Sequence, residues 1–318
     1  MKQLLFFFLL ITSVINAQDF SRVDAIVKSY PRYTSSQKLV ETINKDFNSD
    51  SNKVRAAFIW LTQNIRYDLK AFYQPKKVVE FSYFTEEERL QKIQTIKDNI
   101  VEKAFLTKMG VCEEYAQSFK KLADLLGIEA QVLKGYVRSS AYDIGRVPNT
   151  TNHAWNAVKI NGKWILLDAT WAAGYLFNGQ WKKEYNEYFF DIDSEKIGRT
   201  HYVDNRKWKV VLNQSSLSDF YNQPIYSQGF LKTNLELISS KKGVIAINRS
   251  KKIIVKIKNL PQSAQLYYTF KGQRYSKEPV ITFEENTAVI TIENPRKNTE
   301  LYLFFNRDLA LEYKIIMQ

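Results

Sequence analysis

"NHAWNAVKINGKWILLDATW", residues 152–171, consists of two runs with alternating apolar residues joined by Asn161-Gly162. Asn-Gly between such runs marks a two-residue type I′ turn, because both turn positions need positive φ and the turn's twist matches that of the strands. Such a turn leaves the register no freedom. Ile160 faces Lys163, and counting back sets Trp155 opposite Asp168 and His153 opposite Thr170. His153, Trp155 and Asp168 then share one face of the hairpin, with Asp168 diagonally next to His153 and within reach of its imidazole. A slip of one residue would send Asp168 to the other face.

Upstream, "MGVCEEYAQSFKKLADLLG" (109–127) carries Tyr115, Phe119, Leu122, Ala123 and Leu126 at helical spacing and closes on Gly127, a favoured C-terminal capping residue. Cys112 stands at the N-terminal end of this helix, where unpaired N–H groups and the positive end of the macrodipole stabilise a thiolate. It is the only cysteine of the chain. No internal disulfide is therefore available, and the count by itself leaves Cys112 open between a nucleophile and a small core residue. Its place at a helix start, rather than on the apolar stripe, favours the nucleophile. Cys112, His153 and Asp168 make up the parts of a thiol nucleophile, a general base and a carboxylate that orients the base. The thiol gives its proton to the imidazole, and the carboxylate selects the tautomer that presents the other ring nitrogen to sulfur.

The first residues, "MKQLLFFFLLITSVINAQ", set a Lys before an apolar run and end near a small Ala17, which reads as a secretory signal peptide over 1–17 cleaved near Ala17. The expectation is an exported protein, periplasmic or extracellular. The run is shorter than the roughly 20 residues needed to span a bilayer, and no later stretch reads as a transmembrane segment. The formal charge of +13 is scattered along the chain without a dense tract. It suits a solvated basic surface or association with anionic cell-surface material, and there is no nucleic-acid motif. One Cys and two His offer no metal-ligand spacing, and Gly-rich phosphate loops are absent, so neither a metal nor a cofactor is expected.

The length, 318 residues with 45% hydrophobic content, suggests two domains. "SDSNKVRAAFIWLTQNIRYD" (49–68) reads as an amphipathic helix with an N-cap among Ser49, Asp50 and Ser51, and "FTEEERLQKIQTIKDNIVEKAF" (84–105) as a charged, solvent-facing helix. After residue 225 the pattern becomes short β-branched and aromatic runs broken by turns, a small Ig-like β-sandwich over 226–318 that follows an α+β domain over 18–225.

The blocks "GVCEEYAQSFKKLADLLGIEAQVLKGYVR" and "NHAWNAVKINGKWILLDATW" resemble the core of the transglutaminase-like superfamily, a papain-like α+β arrangement of helices on an antiparallel sheet. "KVRAAFIWLTQNIRYD" and "THYVDNRKWKVV" are most similar to its kyphoscoliosis-peptidase and cytokinesis-protein branch. The resemblance spans roughly residues 35–220. It implies Cys112 as nucleophile, His153 as base and Asp168 as orienting acid, acting on peptide or protein amides through a thioester. Water resolving the thioester makes a peptidase or amidase, a lysine amine a transglutaminase; hydrolysis is favoured. A silent binding module of the same fold is the alternative. Glu114 replaces a Gly common in relatives, with the expectation of a narrowed cleft, and Val203 follows "HY" where Pro is common. His201 reads as a structural or solvent-exposed histidine sooner than a lining residue. The Cys112 backbone N–H is the natural first oxyanion donor, with Trp60, Gln63 and Asn64 as weaker candidates for the second.

Overall fold

The computed structural model describes residues 19–74, 79–177 and 179–318. The signal-peptide reading of residues 1–17 lies outside them. Helices α1 (Ser21–Lys28), α2 (Ser36–Asp46) and α3 (Asp50–Asn64) come first. The Ser49 side chain caps α3 by accepting from the Asn52 N–H, and the helix is buried from Val54 to Thr62. Strand β1 (Arg66–Tyr67), α4 (Leu69–Tyr73) and α5 (Glu86–Thr107) follow. Of the charged α5 only Val101, Ala104 and Phe105 are buried, as a solvent-facing helix requires.

Strand β2 (Met109–Gly110) pairs in parallel with β1, Tyr67 opposite Gly110, and leads directly into α6 (Cys112–Leu125). Next come β3 (Ala130–Val137), β4 (His153–Ile160), β5 (Lys163–Leu167), the short α7 (Ala169–Ala173), the hairpin β6 (Gly174–Phe177) and β7 (Gln180–Lys183), and β8 (His201–Val203). Strands β5-β4-β3-β8 form one antiparallel sheet in that order. Two side-chain bonds hold α6 in place: the Tyr115 hydroxyl donates to Ile65 O at 2.6 Å, and Asn156 Nδ2 on β4 donates to Ala116 O at 3.0 Å. All four residues are buried, so each bond is made away from water and ties α6 to its neighbours in the core. This is the α+β core the sequence led us to expect.

Beyond β9 (Ile225–Tyr226) the chain is mostly strand. β10 (Glu236–Ser239), β12 (Ile253–Lys258), β15 (Thr287–Ile292) and β14 (Val280–Glu284) form one antiparallel sheet. β11 (Val244–Ile247), β17 (Asp308–Met317), β16 (Thr299–Phe305) and β13 (Leu266–Phe270) form a second, in which β11 runs parallel to β17. Alternate residues of both, such as Val255, Ile290, Leu303 and Tyr268, share one apolar cluster, as two sheets with facing inner surfaces do. A separate cluster gathers apolar residues between Val23 and Leu231 around α3, α6 and the β3–β5 sheet. Glu312 on β17 reaches back to this first region, accepting from the Ala141 N–H at 2.9 Å.

Candidate active site

Cys112 is the first residue of α6. The turn that delivers it is tied at both ends. β2 is held on β1, and the Val111 N–H donates to Glu114 Oε2 at 2.9 Å. Glu114 therefore folds back to cap its own helix, which gives the residue at this sequence departure a local structural task. The second sequence departure also has a local reason: the Val203 N–H donates to Gln214 Oε1 at 2.9 Å, a bond that proline would lack.

The hairpin register runs as read, Ile160 opposite Lys163 through Asn156 opposite Leu167. There the ladder stops. Asp168 donates its N–H to Phe189 O at 2.8 Å and caps α7, so Thr170 lies in a helix and not opposite His153. The capping preference of an Asp before "ATWAA" overrode strand continuation. Asp168 still reaches the histidine: His153 Nε2 lies 2.7 Å from Oδ2. Cys112 hydrogen-bonds His153 from the other side, which leaves Nδ1 as the ring atom toward sulfur. The three residues named from the sequence thus form one contiguous chain.

Burial works against charge on His153, yet the Asp168 carboxylate, with Cys112 adding to it, outweighs that cost and raises the imidazole above its ordinary value. For Asp168, burial alone would raise the carboxyl; His153 and then His201 hold it below the usual carboxylate range. Each Asp168 oxygen has two donors. Oδ1 accepts from Thr170 N at 2.8 Å and Trp171 N at 3.1 Å, and Oδ2 accepts from His153 and His201. A carboxylate with no solvent exposure stays ionised only under such saturation.

His201, which reads from the sequence as structural or solvent-exposed sooner than lining, is a buried residue at the site itself. It is fully buried, its Nε2 lies 3.1 Å from Asp168 Oδ2, and its Nδ1 lies 2.8 Å from Thr200 Oγ1. Strand topology brings it there. Gly135 on β3 pairs with His153 on one side and Val203 on the other, so His153, Trp155 and His201 fall on one sheet face. A Cβ at Gly135 would meet Tyr202 O at 2.1 Å and the Trp155 ring at 2.7 Å, so this glycine is what lets the strands approach. The usable signal was that β8 alternation puts His201 and Val203 on one face, but the pairing of β8 with β3 is not encoded locally.

Trp155 stacks beside His153 with ring centroids 6.0 Å apart and meets His201 edge-on at 4.9 Å. Trp171 leans on both histidines. Tyr67, opposite Gly110, has its phenol raised by burial first and then by the charges of Cys112 and Asp168; its ring stacks on Trp181 at 5.0 Å. Trp60 is not free to donate to a substrate oxygen, because its indole N–H donates to Pro31 O at 3.0 Å.

His153, Asp168 and His201 offer ligand atoms within 4.8 Å of one another. The 2.7 Å contact from His153 to Asp168 is closer than two ligands of one tetrahedral zinc sit, about 3.3 Å. The trio is a proton-bridged cluster. Among the described residues no helix is long and apolar enough to cross a membrane.

Residues 37–169 match the family model of the transglutaminase-like superfamily. The human Kyphoscoliosis peptidase is 26% identical over 230 residues, covering 70% of this chain and 32% of that protein. The Lim and transglutaminase domain protein ltd-1 of Caenorhabditis elegans is 26% identical over 184 residues, 52% of this chain and 25% of its own length. A solved TGase structure is 19% identical with a TM-score of 0.28, covering 57% of this chain and 40% of that one. The chain thus spans a third or less of the length of these two curated relatives. Cys112, His153 and Asp168 all fall within the matched segment, and residues 37–169 of this chain are a transglutaminase-like domain.

Proposed function

We propose that this chain is an exported cysteine enzyme acting on peptide or protein amides, with Cys112 as nucleophile, His153 as general base and acid, and Asp168 as the group that orients and charges His153. One observation carries the reading: a single buried imidazole is shared between the lone thiol and a carboxylate held by two backbone N–H groups.

In this reaction the Cys112 proton passes to His153 Nδ1 and sulfur adds to the amide carbonyl. His153 returns the proton to the leaving amine, the C–N bond breaks, and a thioester remains. Water, deprotonated by His153, then resolves the thioester to a carboxylic acid and regenerates the thiol. Hydrolysis is favoured over transfer to a lysine amine, in keeping with the peptidase name of the human relative. Export rests on the leader-like pattern of residues 1–17, and the net charge of +13 suits retention on anionic cell-surface material.

The test is the pH dependence of iodoacetamide alkylation, followed by assays for amine release and for amine incorporation on a denatured protein substrate. A thiol that reacts well below the ordinary value of about 8.5, and loses that reactivity in His153→Ala, supports the reading; release without incorporation supports hydrolysis. The slight exposure of Cys112 and His153, 8% each, favours the second reading of a silent binding module. An inert Cys112 in the folded protein would establish that alternative.

A further inference from the structure

Asp168 Oδ2 is shared by two histidines, and the proposed reaction uses only one of them. The second, His201, is enclosed by aromatic rings: Trp155 at 4.9 Å, Trp171 at 5.0 Å and Phe189 at 6.2 Å between centroids. It has no solvent exposure. Its tautomer follows from its neighbours. An ionised Asp168 can only accept, so Nε2 of His201 must carry the proton. Nδ1 is then an acceptor, and the Thr200 hydroxyl, 2.8 Å away, donates to it. Burial favours the neutral ring, against the pull of Asp168.

We propose that His201 is a positioning residue of the Cys112–His153–Asp168 site: a permanently neutral imidazole that donates its Nε2–H to Asp168 Oδ2 and so sets how strongly that carboxylate holds the His153 proton. This rests on the catalytic reading above.

His153 and His201 compete for one oxygen. Two donors on Oδ2 share its charge, so each bond is weaker than it would be alone. Remove His201 and the carboxylate becomes the stronger base toward His153. The imidazolium then holds its proton to higher pH, and it surrenders that proton less readily to the departing amine. A donor on a buried carboxylate also spares it a desolvation cost it could not otherwise meet. The other titratable groups facing the cluster are Cys112 and Tyr115 from α6 and Tyr67 from β1. Burial raises both phenols, so they stay neutral across the range where His153 and Cys112 exchange a proton.

The chain has only two histidines, so ring ¹⁵N NMR of the untagged wild-type protein reads both without deconvolution. One ring, assigned to His201 through His201→Gln, should remain the neutral Nε2–H tautomer from about pH 5.5 to about pH 8.5. A His201 that titrates in this range, or carries its proton on Nδ1, overturns the proposal. The functional arm is the alkylation profile of Cys112. His201→Leu should move the transition that marks loss of the His153 proton upward by about half a unit to one unit. His201→Gln, whose amide N–H can take the place of Nε2–H, should restore it. Superimposable profiles for wild type and His201→Leu would mean that His201 only fills space. If His201→Leu does not fold, the NMR result stands alone as the deciding measurement. An inert Cys112 in wild type would sink the catalytic reading while leaving the tautomer assignment measurable, so the two failures are distinct.

Discussion

The Cβ that Gly110 lacks would lie 2.4 Å from the Cβ of Glu114, closer than any two carbons can pack without moving. The same Glu114 returns its carboxylate to the Val111 N–H, between Gly110 and Cys112. The turn that presents the thiol is therefore a matched pair, a bare residue before the helix and a capping residue in its first turn.

Gly110→Ala should cost on the order of 1–3 kcal/mol by forcing the α6 start away from β1, and Glu114→Gly about 1–2 kcal/mol through the lost cap and added backbone freedom. Together they should cost less than their sum, because the clash needs both side chains. Chemical denaturation of the four proteins of the double-mutant cycle measures the coupling; strict additivity would mean that the two residues do not constrain each other.

Asp168 has two duties that substitution can separate. Asn keeps an oxygen for the Thr170 and Trp171 N–H groups but cannot hold an imidazolium, so Asp168→Asn should fold and lose on the order of 10³–10⁴ in turnover. Asp168→Ala should lose the α7 cap as well, about 1 kcal/mol further. Thermal melts beside alkylation rates distinguish the two; an Asn variant as active as wild type would remove Asp168 from the site.

The protonation of His153 couples to stability with a definite sign. Its folded value is raised, so its contribution is fully present below the ordinary imidazole value of about 6.5 and is lost as pH rises through the folded value. Asp168 is depressed, so its contribution is present above about 3.9 and is lost only as pH falls through its folded value. His153→Ala, which leaves a buried carboxylate short of a partner, should lower Tm most in the mildly acidic range, above about 3.9 and below about 6.5, by the equivalent of about 3–5 kcal/mol. The gap to wild type should close toward the alkaline end. A Tm difference independent of pH would mean that the pair is not ionised.

Glu312 is a buried carboxyl on β17 whose value burial pushes up to about 7, the Ala141 N–H opposing, with Glu300 and Asp143 repelling its charge. A raised acid favours the fold below its unfolded value and costs stability as pH rises, here from about 4.5 to 7. Glu312→Gln keeps an oxygen for Ala141 and removes the charge. It should be stabilising on the order of 2 kcal/mol at pH 8 and near neutral at pH 5. Melts at the two pH values decide it, and a destabilised Gln variant at pH 8 would show that the ionised form is the one the fold requires.

Most of the site was legible because its determinants are local. The Asn161-Gly162 turn set the register through Leu167, and the apolar stripe after Cys112 made that residue a helix start. Asp168 fell beside His153 although the strand did not continue to it, since one residue past the ladder still points to the same face. The signature failed for Thr170, where capping chemistry ended the strand, and for His201, whose strand meets β3 across more than sixty residues of intervening chain.

The cysteine's place at a helix start, the histidine's face and the carboxylate's proximity follow from turn chemistry and side-chain periodicity, which act over a few residues. That Asp168 serves two imidazoles and that Trp60 is already engaged emerges from long-range packing. Each depends on which distant strand or carbonyl arrives beside a group, and non-local pairing is settled by the packing of the whole core rather than by any one stretch of chain.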